Sequence, residues 1–241
     1  MARDAVAMNE QVALITGASR GLGREIARAY ARLSLRLIVT ARGAAALDEV
    51  TTELRQLTGV LALPGDVANA AHAERLVRLG LARFGHIDVL INNASELGPS
   101  PMPELVSLPV DEFERVLGTN VVAPLRLVQL VVPAMRARGG GLIVNVSSDA
   151  AVQAYPTWGG YGASKAALEH LSRVLAAELE GSGIRVAVVD PGDMDTAMHR
   201  AAEPSVDLSH LPGPDVAVPA FVRLLDDTAA FQRIEAQAAE V

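Results

Sequence analysis

The sequence has no cysteine, few aromatic residues and no long uninterrupted apolar run. The absence of cysteine among 241 residues excludes disulfide bonds and thiolate metal sites, and it fits a reducing compartment. Aromatic residues make up only 3% of the chain, so its 50% hydrophobic content comes mainly from Ala, Val and Leu. Such side chains suit helices packed closely on a buried parallel sheet.

We expect no segment of this sequence to direct the chain into or across a membrane. Residues 1–10 carry charged side chains and no apolar run, so we expect a short flexible arm there rather than a signal peptide or an anchor. The most apolar later stretch, residues 121–135, is interrupted by two prolines and Arg126 and falls short of the roughly 18 uncharged residues that a span requires. We therefore expect a cytoplasmic protein with no membrane partner.

Positive charge is scarce, because acidic residues outnumber basic ones. The formal net charge is −7, and the sequence contains no long basic cluster. Both observations argue against a nucleic-acid partner. We expect the partners of this protein to include a small molecule rather than DNA or RNA.

Short apolar runs alternate with helix-patterned segments along the chain. This alternation is typical of an α/β fold and predicts one doubly wound domain over residues 11–241, with a parallel sheet of about seven strands and helices on both faces. The predicted strands are residues 12–16, 36–40, 60–63, 87–91, 142–146, 185–189 and 232–236. The predicted helices are residues 25–30, 44–57, 70–84, 110–138, 161–180 and 216–225.

The first predicted strand ends in a glycine-rich turn, residues 17–23, with the spacing G-x-x-x-G-x-G. Glycines in such a turn let the backbone approach a pyrophosphate, whose charge is met by free N–H groups at the start of the following helix. The spacing differs from the commoner G-x-G-x-x-G fingerprint. The turn predicts a dinucleotide site on residues 17 to 23.

The same residues allow a second interpretation, because residues 17–21 also match the G-x-S-x-G form of a hydrolase nucleophile elbow with Ser19 as the nucleophile. That fold takes an oxyanion-hole N–H from a loop between earlier strands. No apolar run that would form such strands precedes residue 12. The dinucleotide interpretation is therefore favoured.

The end of the second strand indicates which cofactor is bound. An NAD site places an Asp or Glu about 20 residues after the glycine turn, whereas an Arg accommodates the 2′-phosphate of NADP. This chain has Arg42 at that place and Arg20 within the turn. Two cations are thus available for the extra phosphate, and we predict NADP(H).

Polar residues follow the third and fourth strands at the edge where ligands of open α/β sheets bind. Asp66 follows the third strand and is suited to accept a hydrogen bond from an adenine amino group. Asn92, Asn93 and Ala94 follow the fourth. We expect Asn92 to tie neighbouring loops together, and Asn93 and Ala94 to flank the cofactor.

Tyr161 and Lys165 stand one turn apart on a predicted helix. A free tyrosine has a pKa of about 10, so catalysis near neutral pH requires a decrease of about three units, or about 4 kcal/mol. An ammonium about 4 Å from a phenolate supplies about 4 kcal/mol at an effective dielectric of 20. The pair has the chemistry of a general acid and base, although the same spacing occurs by chance on many helices.

Two further polar residues lie where they can serve this pair. Pro124 has no N–H to donate to the backbone carbonyl of Asn120, so that carbonyl is free to hold a water, unless the proline only kinks the helix. Ser148 follows the fifth strand, and the loop of residues 149–160 is long enough to bring its hydroxyl beside Tyr161.

Taken together, these motifs resemble the short-chain dehydrogenase/reductase family in its compact form, over residues 12 to about 200. The resemblance is carried, in the family's order, by Thr16 to Gly23, Asp66, Asn92-Asn93-Ala94, Asn120, Ser148, Tyr161, Lys165 and Pro191-Gly192. It implies a Rossmann-like fold and hydride transfer between NADP(H) and a ketone or secondary alcohol. The implied cofactor-binding residues are Gly17, Ser19, Arg20, Gly21, Leu22, Gly23, Arg42, Asp66, Val67, Asn93, Ala94, Tyr161, Lys165, Pro191, Gly192 and Thr196.

The resemblance also implies a role for each catalytic residue. Tyr161 is expected to act as the general acid and base, and Lys165 to lower its pKa and bind the nicotinamide ribose. Ser148 is expected to hydrogen-bond the substrate oxygen. Asn120 is expected to hold, through its carbonyl, a water that joins Lys165 to solvent. Thr196 resembles the family's hydroxyl that contacts the carboxamide.

The chain departs from the family's pattern at two places. Ser95 stands where members usually have glycine after the Asn-Asn-Ala motif. The usual C-terminal strand with its glycine-rich tail is reduced to residues 232–236, a region that often builds the tetramer contact in relatives. The resemblance implies a homodimer or homotetramer.

Residues 193–214 are expected to form a mobile substrate lid. Asp193, Asp195 and His199 within it have the side chains of metal ligands, but no third segment offers partners for them, so we expect no metal. A non-catalytic NADP(H)-sensing or regulatory protein on the same fold is the competing functional hypothesis. The substrate itself cannot be read from the sequence.

Overall fold

In the computed structural model, which describes residues 10–237, seven parallel strands form one sheet in the order β3-β2-β1-β4-β5-β6-β7. This confirms the predicted Rossmann-like sheet. The strands are β1 (Val12–Thr16), β2 (Arg36–Ala41), β3 (Val60–Pro64), β4 (Val89–Asn92), β5 (Gly141–Val146), β6 (Ile184–Asp190) and β7 (Phe231–Glu235). The predicted N-terminal arm lies, apart from Glu10, outside the described residues.

Helices cover both faces of the sheet. They are α1 (Gly21–Arg32), α2 (Ala44–Leu54), α3 (Ala70–Phe84), α4 (Val110–Leu117), α5 (Ala123–Arg138), α6 (Gly159–Glu178), α7 (Ala197–Ala202) and α8 (Val218–Asp226). Apolar side chains of α1, α2 and α8 pack in one core cluster and those of α3, α5 and α6 in another.

The sequence of β1 explains why both faces are covered. Ala13 and Ile15 belong to one core cluster, while Val12 and Leu14 belong to the other. Successive side chains of a strand point to opposite faces, so an uninterrupted apolar run requires packing on both sides.

The long helix predicted over residues 110–138 consists of α4 and α5 joined by a π-helical turn, Gly118–Val122. Pro124 lies just after this turn and has no N–H for the normal helical bond to Asn120, which explains the local change of period. Among residues 10–237, Val110–Arg138 is the one helix whose length and composition would allow it to cross a membrane. Its Leu127 and Val131 are buried in the core, as in the core helices of soluble proteins.

The parallel order brings the carboxyl ends of all seven strands to one edge of the sheet. Strand order reverses between β1 and β4, whose neighbours β2 and β5 lie on opposite sides. Loops diverge at such a point and leave a crevice. The glycine turn after β1 and the Asn92-Asn93-Ala94 segment after β4 border it.

The seventh strand is held to the sheet by a buried ion pair as well as by its backbone. Arg233 of β7 reaches Glu169 of α6, with Nε 3.1 Å from Oε1 and 3.2 Å from Oε2. The Glu169 side chain is 2% exposed and also accepts a hydrogen bond from Ser147. The predicted seventh strand is thus confirmed and is linked to the helix that carries Tyr161.

Substitution of Arg233 by alanine is expected to lower the free energy of unfolding by about 3 kcal/mol, because it leaves the buried carboxylate of Glu169 short of a partner. Arg173 also contacts Glu169, at 3.1 Å, but its side chain is 48% exposed. Arg173→Ala is therefore the matched control, with an expected loss of about 1 kcal/mol or less. Chemical denaturation measures both, and equal losses would contradict the assignment.

Candidate active site

A cavity of about 610 Å³ opens at the carboxyl edge of the sheet, beside the reversal between β1 and β4. Nearly all of the predicted site residues line it. These are Gly17, Ser19, Arg20, Gly21, Leu22, Arg42, Asp66, Val67, Asn93, Ala94, Ser148, Tyr161, Lys165, Pro191, Gly192 and Thr196. Gly23 and Asn120 do not line the cavity, but both contact residues that do.

The glycine turn is packed against Asn93. A Cβ on Gly17 would lie 2.8 Å from Asn93 Nδ2, and one on Gly23 would lie 2.4 Å from the same atom. Asn93 Nδ2 donates to the carbonyls of Thr16 and Gly17, at 2.9 and 3.3 Å. Gly23 therefore permits close packing within the turn, and the Asn93 side chain fixes its shape.

The start of α1 is suited to an anion. Arg20 precedes the helix and makes no side-chain capping bond, so its side chain leaves the first amides of α1 open. A Cβ on Gly21 would meet nothing nearer than Thr196 Cγ2, at 3.9 Å. Open backbone amides with the positive end of a helix behind them fit a pyrophosphate.

Arg42 lies at the same cavity, at the end of β2, and forms an ion pair there. Its Nη1 is 2.9 Å from Glu96 Oε2, and its side chain is 59% exposed. Asp66, after β3, uses Oδ1 to accept the N–H of Ala68 at 2.9 Å. Arg20 and Arg42 line one cavity, as the predicted contact with a 2′-phosphate requires.

Tyr161 and Lys165 are buried together on α6, 9% and 2% exposed. The Lys165 ammonium lies over the Tyr161 ring, 5.4 Å from its centroid, and donates to the Val146 carbonyl at 2.8 Å. Burial lowers the pKa of Lys165 to about 8, against an opposing effect of Asp190.

The pKa of Tyr161 differs from the expectation that Lys165 depresses it. This pKa is raised to about 12, mainly by burial; the Ser95 side chain opposes the increase, and the charges of Asp190 and Asp149 add to it. Lys165 is not among the causes, and its ammonium lies over the ring face and is bonded to the Val146 carbonyl. The phenol is therefore protonated at neutral pH.

The Ser148 hydroxyl lines the cavity, but its hydrogen bonds are with residues of its own loop. It hydrogen-bonds Asp149 Oδ1 at 2.9 Å and accepts the N–H of Ala150 at 3.2 Å. Asp149 is held in turn by the Tyr155 hydroxyl, 2.6 Å from Oδ2. The hydrogen bonds of Ser148 are thus with Asp149 and Ala150 and not with the Tyr161 phenol.

Both polar atoms of the Asn120 side chain are hydrogen-bonded inside the protein, and the residue is 1% exposed. Its Nδ2 donates to the Glu96 carbonyl and to Ser164 Oγ, both at 2.9 Å, while Oδ1 accepts the Glu96 N–H at 2.7 Å. The amide thus anchors the loop after β4 to α6. The water that Asn120 is expected to hold would contact its backbone carbonyl, and this contact stays a prediction.

Asp190 is a charged group at the site that sequence reasoning did not select. It ends β6, is 5% exposed and lines the cavity, and burial raises its pKa. Its Oδ1 accepts the Gly192 N–H at 3.0 Å, and Arg233 Nη2 lies 3.5 Å from Oδ2. Its position at a strand's carboxyl end, like that of Asp66, was the available signal.

The predicted lid contains α7 and reaches the cavity from one side. Thr196 caps α7 by accepting the His199 N–H at 3.2 Å, so its hydroxyl is partly occupied. His199 Nδ1 lies 3.2 Å from the Met194 carbonyl oxygen, and Asp195 pairs with Arg200 at 2.6 Å. Within residues 10–237, no three His, Asp or Glu side chains are grouped to hold a metal ion.

The parallel sheet, the glycine turn and the buried Tyr161–Lys165 pair define a Rossmann-like oxidoreductase. The family model described as short chain dehydrogenase matches residues 11–207. The chain belongs to the short-chain dehydrogenase/reductase family, and the hydrolase interpretation of the glycine turn is wrong.

Individual relatives agree with this. The chain is 33% identical over 214 residues to a 7alpha-hydroxysteroid dehydrogenase of Escherichia coli K12, covering 87% of this chain and 82% of that protein. It superposes on a short chain dehydrogenase from Pseudomonas syringae with a TM-score of 0.89, 30% identity and coverage of 98% and 99%. A short chain dehydrogenase from Escherichia coli CFT073, complexed with NADPH, gives a TM-score of 0.86 and 28% identity, covering 96% of this chain and 98% of that one.

Proposed function

We propose that this protein is an NADP(H)-dependent oxidoreductase that interconverts a ketone and a secondary alcohol. The observation that carries the proposal is the burial of Tyr161 and Lys165 at the same cavity as the glycine turn. A proton donor and a dinucleotide site are thus adjacent. Consumption of NADPH on addition of a carbonyl compound tests the proposal.

Each residue of the site would have a separate role in such a reaction. The bound cofactor would supply or accept the hydride at the carbonyl carbon. Tyr161 holds the proton for the carbonyl oxygen, and its raised pKa keeps it in the protonated form that carbonyl reduction needs. Lys165 places positive charge against the ring of Tyr161. Ser148 borders the cavity where the substrate oxygen would lie, and its hydroxyl must leave Asp149 to bind that oxygen.

The cofactor preference is proposed from Arg20 and Arg42, and the NADPH complex of the Escherichia coli CFT073 relative supports it. Both arginines line the cavity. Glu96 is the group with which a 2′-phosphate would compete for Arg42. A phosphate carries more negative charge than this carboxylate and accepts hydrogen bonds from both arginines.

Arg42→Asp is expected to lower the preference for NADPH over NADH by about 100-fold, because it removes a charge-assisted contact and adds repulsion. The ratio of kcat/KM for the two cofactors measures this. Arg115→Asp is the matched control, since Arg115 is also near Glu96, at 4.0 Å, but does not line the cavity. An unchanged ratio in Arg42→Asp would show that another group selects the cofactor.

We also propose a cytoplasmic homodimer or homotetramer. Exposed apolar side chains on the α4–α5 helix and on α6 support self-association, with Val122, Leu125 and Val174 more than 40% exposed. No observation favours the sensing or regulatory alternative over the enzyme. It is retained as the outcome that an absence of turnover would indicate.

A further inference from the structure

The chain that follows β7 lies against the base of the predicted lid, where β6 ends. The N–H of Ala236 donates to the Asp190 carbonyl at 2.8 Å. The Gln237 side chain donates from Nε2 to the Pro191 carbonyl at 2.9 Å and to the Asp193 carbonyl at 2.8 Å. Three carbonyls within four residues are thus hydrogen-bonded to the chain after β7.

The segment held in this way also forms part of the wall of the cofactor cavity. Pro191, Gly192 and Thr196 line that cavity. Gly192 has a φ of +72°, a left-handed conformation that glycine adopts readily, and its N–H donates to Asp190 Oδ1 at 3.0 Å. A Cβ on Gly192 would lie 2.9 Å from Gln237 Nε2. The turn that leads from β6 into the lid is therefore packed directly against the Gln237 amide.

The space beside this turn is not filled by side chains. A second cavity, of about 250 Å³, lies there, and Gly192, Asp193, Glu235 and Gln237 are among the residues that line it. Within residues 10–237, Gln237 is the only side chain that hydrogen-bonds the carbonyl of Pro191 or of Asp193. The two bonds from this amide are therefore the main side-chain contact that fixes the lid base on this side.

The position of the lid base determines where the rest of the lid lies. The Asp195 N–H donates to the Pro212 carbonyl at 2.8 Å, which joins the two ends of the lid. Thr196 Cγ2 lies 3.9 Å from the place that a Cβ on Gly21 would occupy, so the lid borders the glycine turn. A rotation of the backbone at Gly192 would carry Thr196 away from that turn.

We propose that Gln237 is a positioning residue for the cofactor site: its two hydrogen bonds hold the lid base so that Gly192 and Thr196 face the cofactor. The lid opens at Gly192 when these bonds break and closes when they form again. A cofactor bound between the glycine turn and Thr196 favours the closed form. This inference rests on the proposed function for the identity of the cofactor.

Limited proteolysis measures the opening of the lid directly. Arg200 is the only lysine or arginine between residues 193 and 214, so cleavage by trypsin after Arg200 reports the open form. Gln237→Ala is expected to increase the rate of this cleavage about fivefold. Gln237→Glu keeps the size of the side chain but replaces the N–H donor with a carboxylate, and it should increase the rate at least as much. Saturating NADP⁺ should slow the cleavage in every variant.

Gln153→Ala is the matched control, because Gln153 is also exposed and lines the same second cavity but does not bond to the lid base. It should be cleaved after Arg200 at the rate of the wild-type protein. The midpoint of chemical denaturation should be the same in all three variants, since both glutamines are exposed. Cleavage of Gln237→Ala or Gln237→Glu at the wild-type rate, an equal increase in Gln153→Ala, or no protection by NADP⁺ would overturn the proposal.

Steady-state kinetics separates this inference from the proposed function. Partial opening lowers the fraction of the protein that can bind the cofactor, so KM for NADPH should rise about twofold in Gln237→Ala while kcat stays unchanged. A lower kcat with an unchanged KM would contradict a role through the lid. Faster cleavage of Gln237→Ala, in a protein that reduces no carbonyl compound, would keep the lid contact and reject the reaction. Unchanged cleavage with normal turnover would reject the lid contact and keep the reaction.

Discussion

The Tyr161→Phe variant is expected to transfer hydride about 10³-fold more slowly than the wild-type protein while it still binds NADP(H). The substitution removes only the phenolic oxygen, which is the proposed source of the proton for the carbonyl oxygen. The ring remains in its contacts with Lys165 and Trp158, so the helix and the cavity keep their shape. Single-turnover oxidation of NADPH measures the rate, and quenching of NADPH fluorescence measures binding.

A matched control for this variant is Tyr30→Phe. Tyr30 is fully buried and donates its hydroxyl to the Phe221 carbonyl at 2.9 Å, but it does not line the cavity. This variant is expected to lose about 1 kcal/mol of stability and none of its turnover. Similar losses of turnover in both variants would show that the effect of Tyr161→Phe is structural.

Lys165→Met is expected to lower turnover by about 100-fold, because the positive charge over the Tyr161 ring and the donor to the Val146 carbonyl are both lost. Methionine keeps much of the length and the apolar stem of lysine. The folded protein should therefore remain intact. Steady-state kinetics with the carbonyl substrate tests this, and full activity in the variant would remove Lys165 from the mechanism.

The stability of the same variant depends on pH in a defined direction. The pKa of Lys165 is lowered by burial from 10.5 to about 8, so the unfolded chain binds the proton more tightly than the folded one. The stability of the wild-type protein relative to Lys165→Met should rise between about pH 8 and 10.5 and be flat below that window. Lys165 is the only lysine in the sequence, so one side-chain NMR signal reports its titration directly.

Much of the fold could be predicted because local and tertiary signals agree. The limits of β1 and α3 were predicted correctly, and α3 has both of its end signals: Asn69 accepts the His72 N–H at the start, and Gly85 adopts a left-handed conformation at the end. Helix α2 ends at Leu54 rather than Leu57, whose side chain is 47% exposed. An apolar residue outside the core misled the prediction there.

The sequence predicts only those parts of the candidate site whose positions follow from the ends of the strands. Residues after parallel strands meet at one edge, which is why the glycine turn, Asp66, Asn93 and Ser148 line one cavity. The partners of their side chains depend on distances across loops that no sequence pattern encodes. The ion pair of Arg42 with Glu96 is a contact of this kind.

The serines show the same limit. The sequence motif assigns Ser148 to the substrate, yet its hydroxyl lies against the neighbouring Asp149. Ser95 was noted only as a departure from glycine, and its hydrogen bond to Asn120 Oδ1, at 3.2 Å, follows from the path of the loop after β4. Asp190 was not selected because a carboxylate at that place belongs to no motif that was recognised.

The most direct test of the central claim is the decrease of NADPH absorbance when the wild-type protein is mixed with a panel of ketones and aldehydes, with Tyr161→Phe measured in parallel. We expect at least one carbonyl compound to be reduced by the wild-type protein and its rate to fall about 10³-fold in the variant. NADPH that binds to both proteins and is consumed by neither, across the whole panel, would contradict the account and favour a sensing protein.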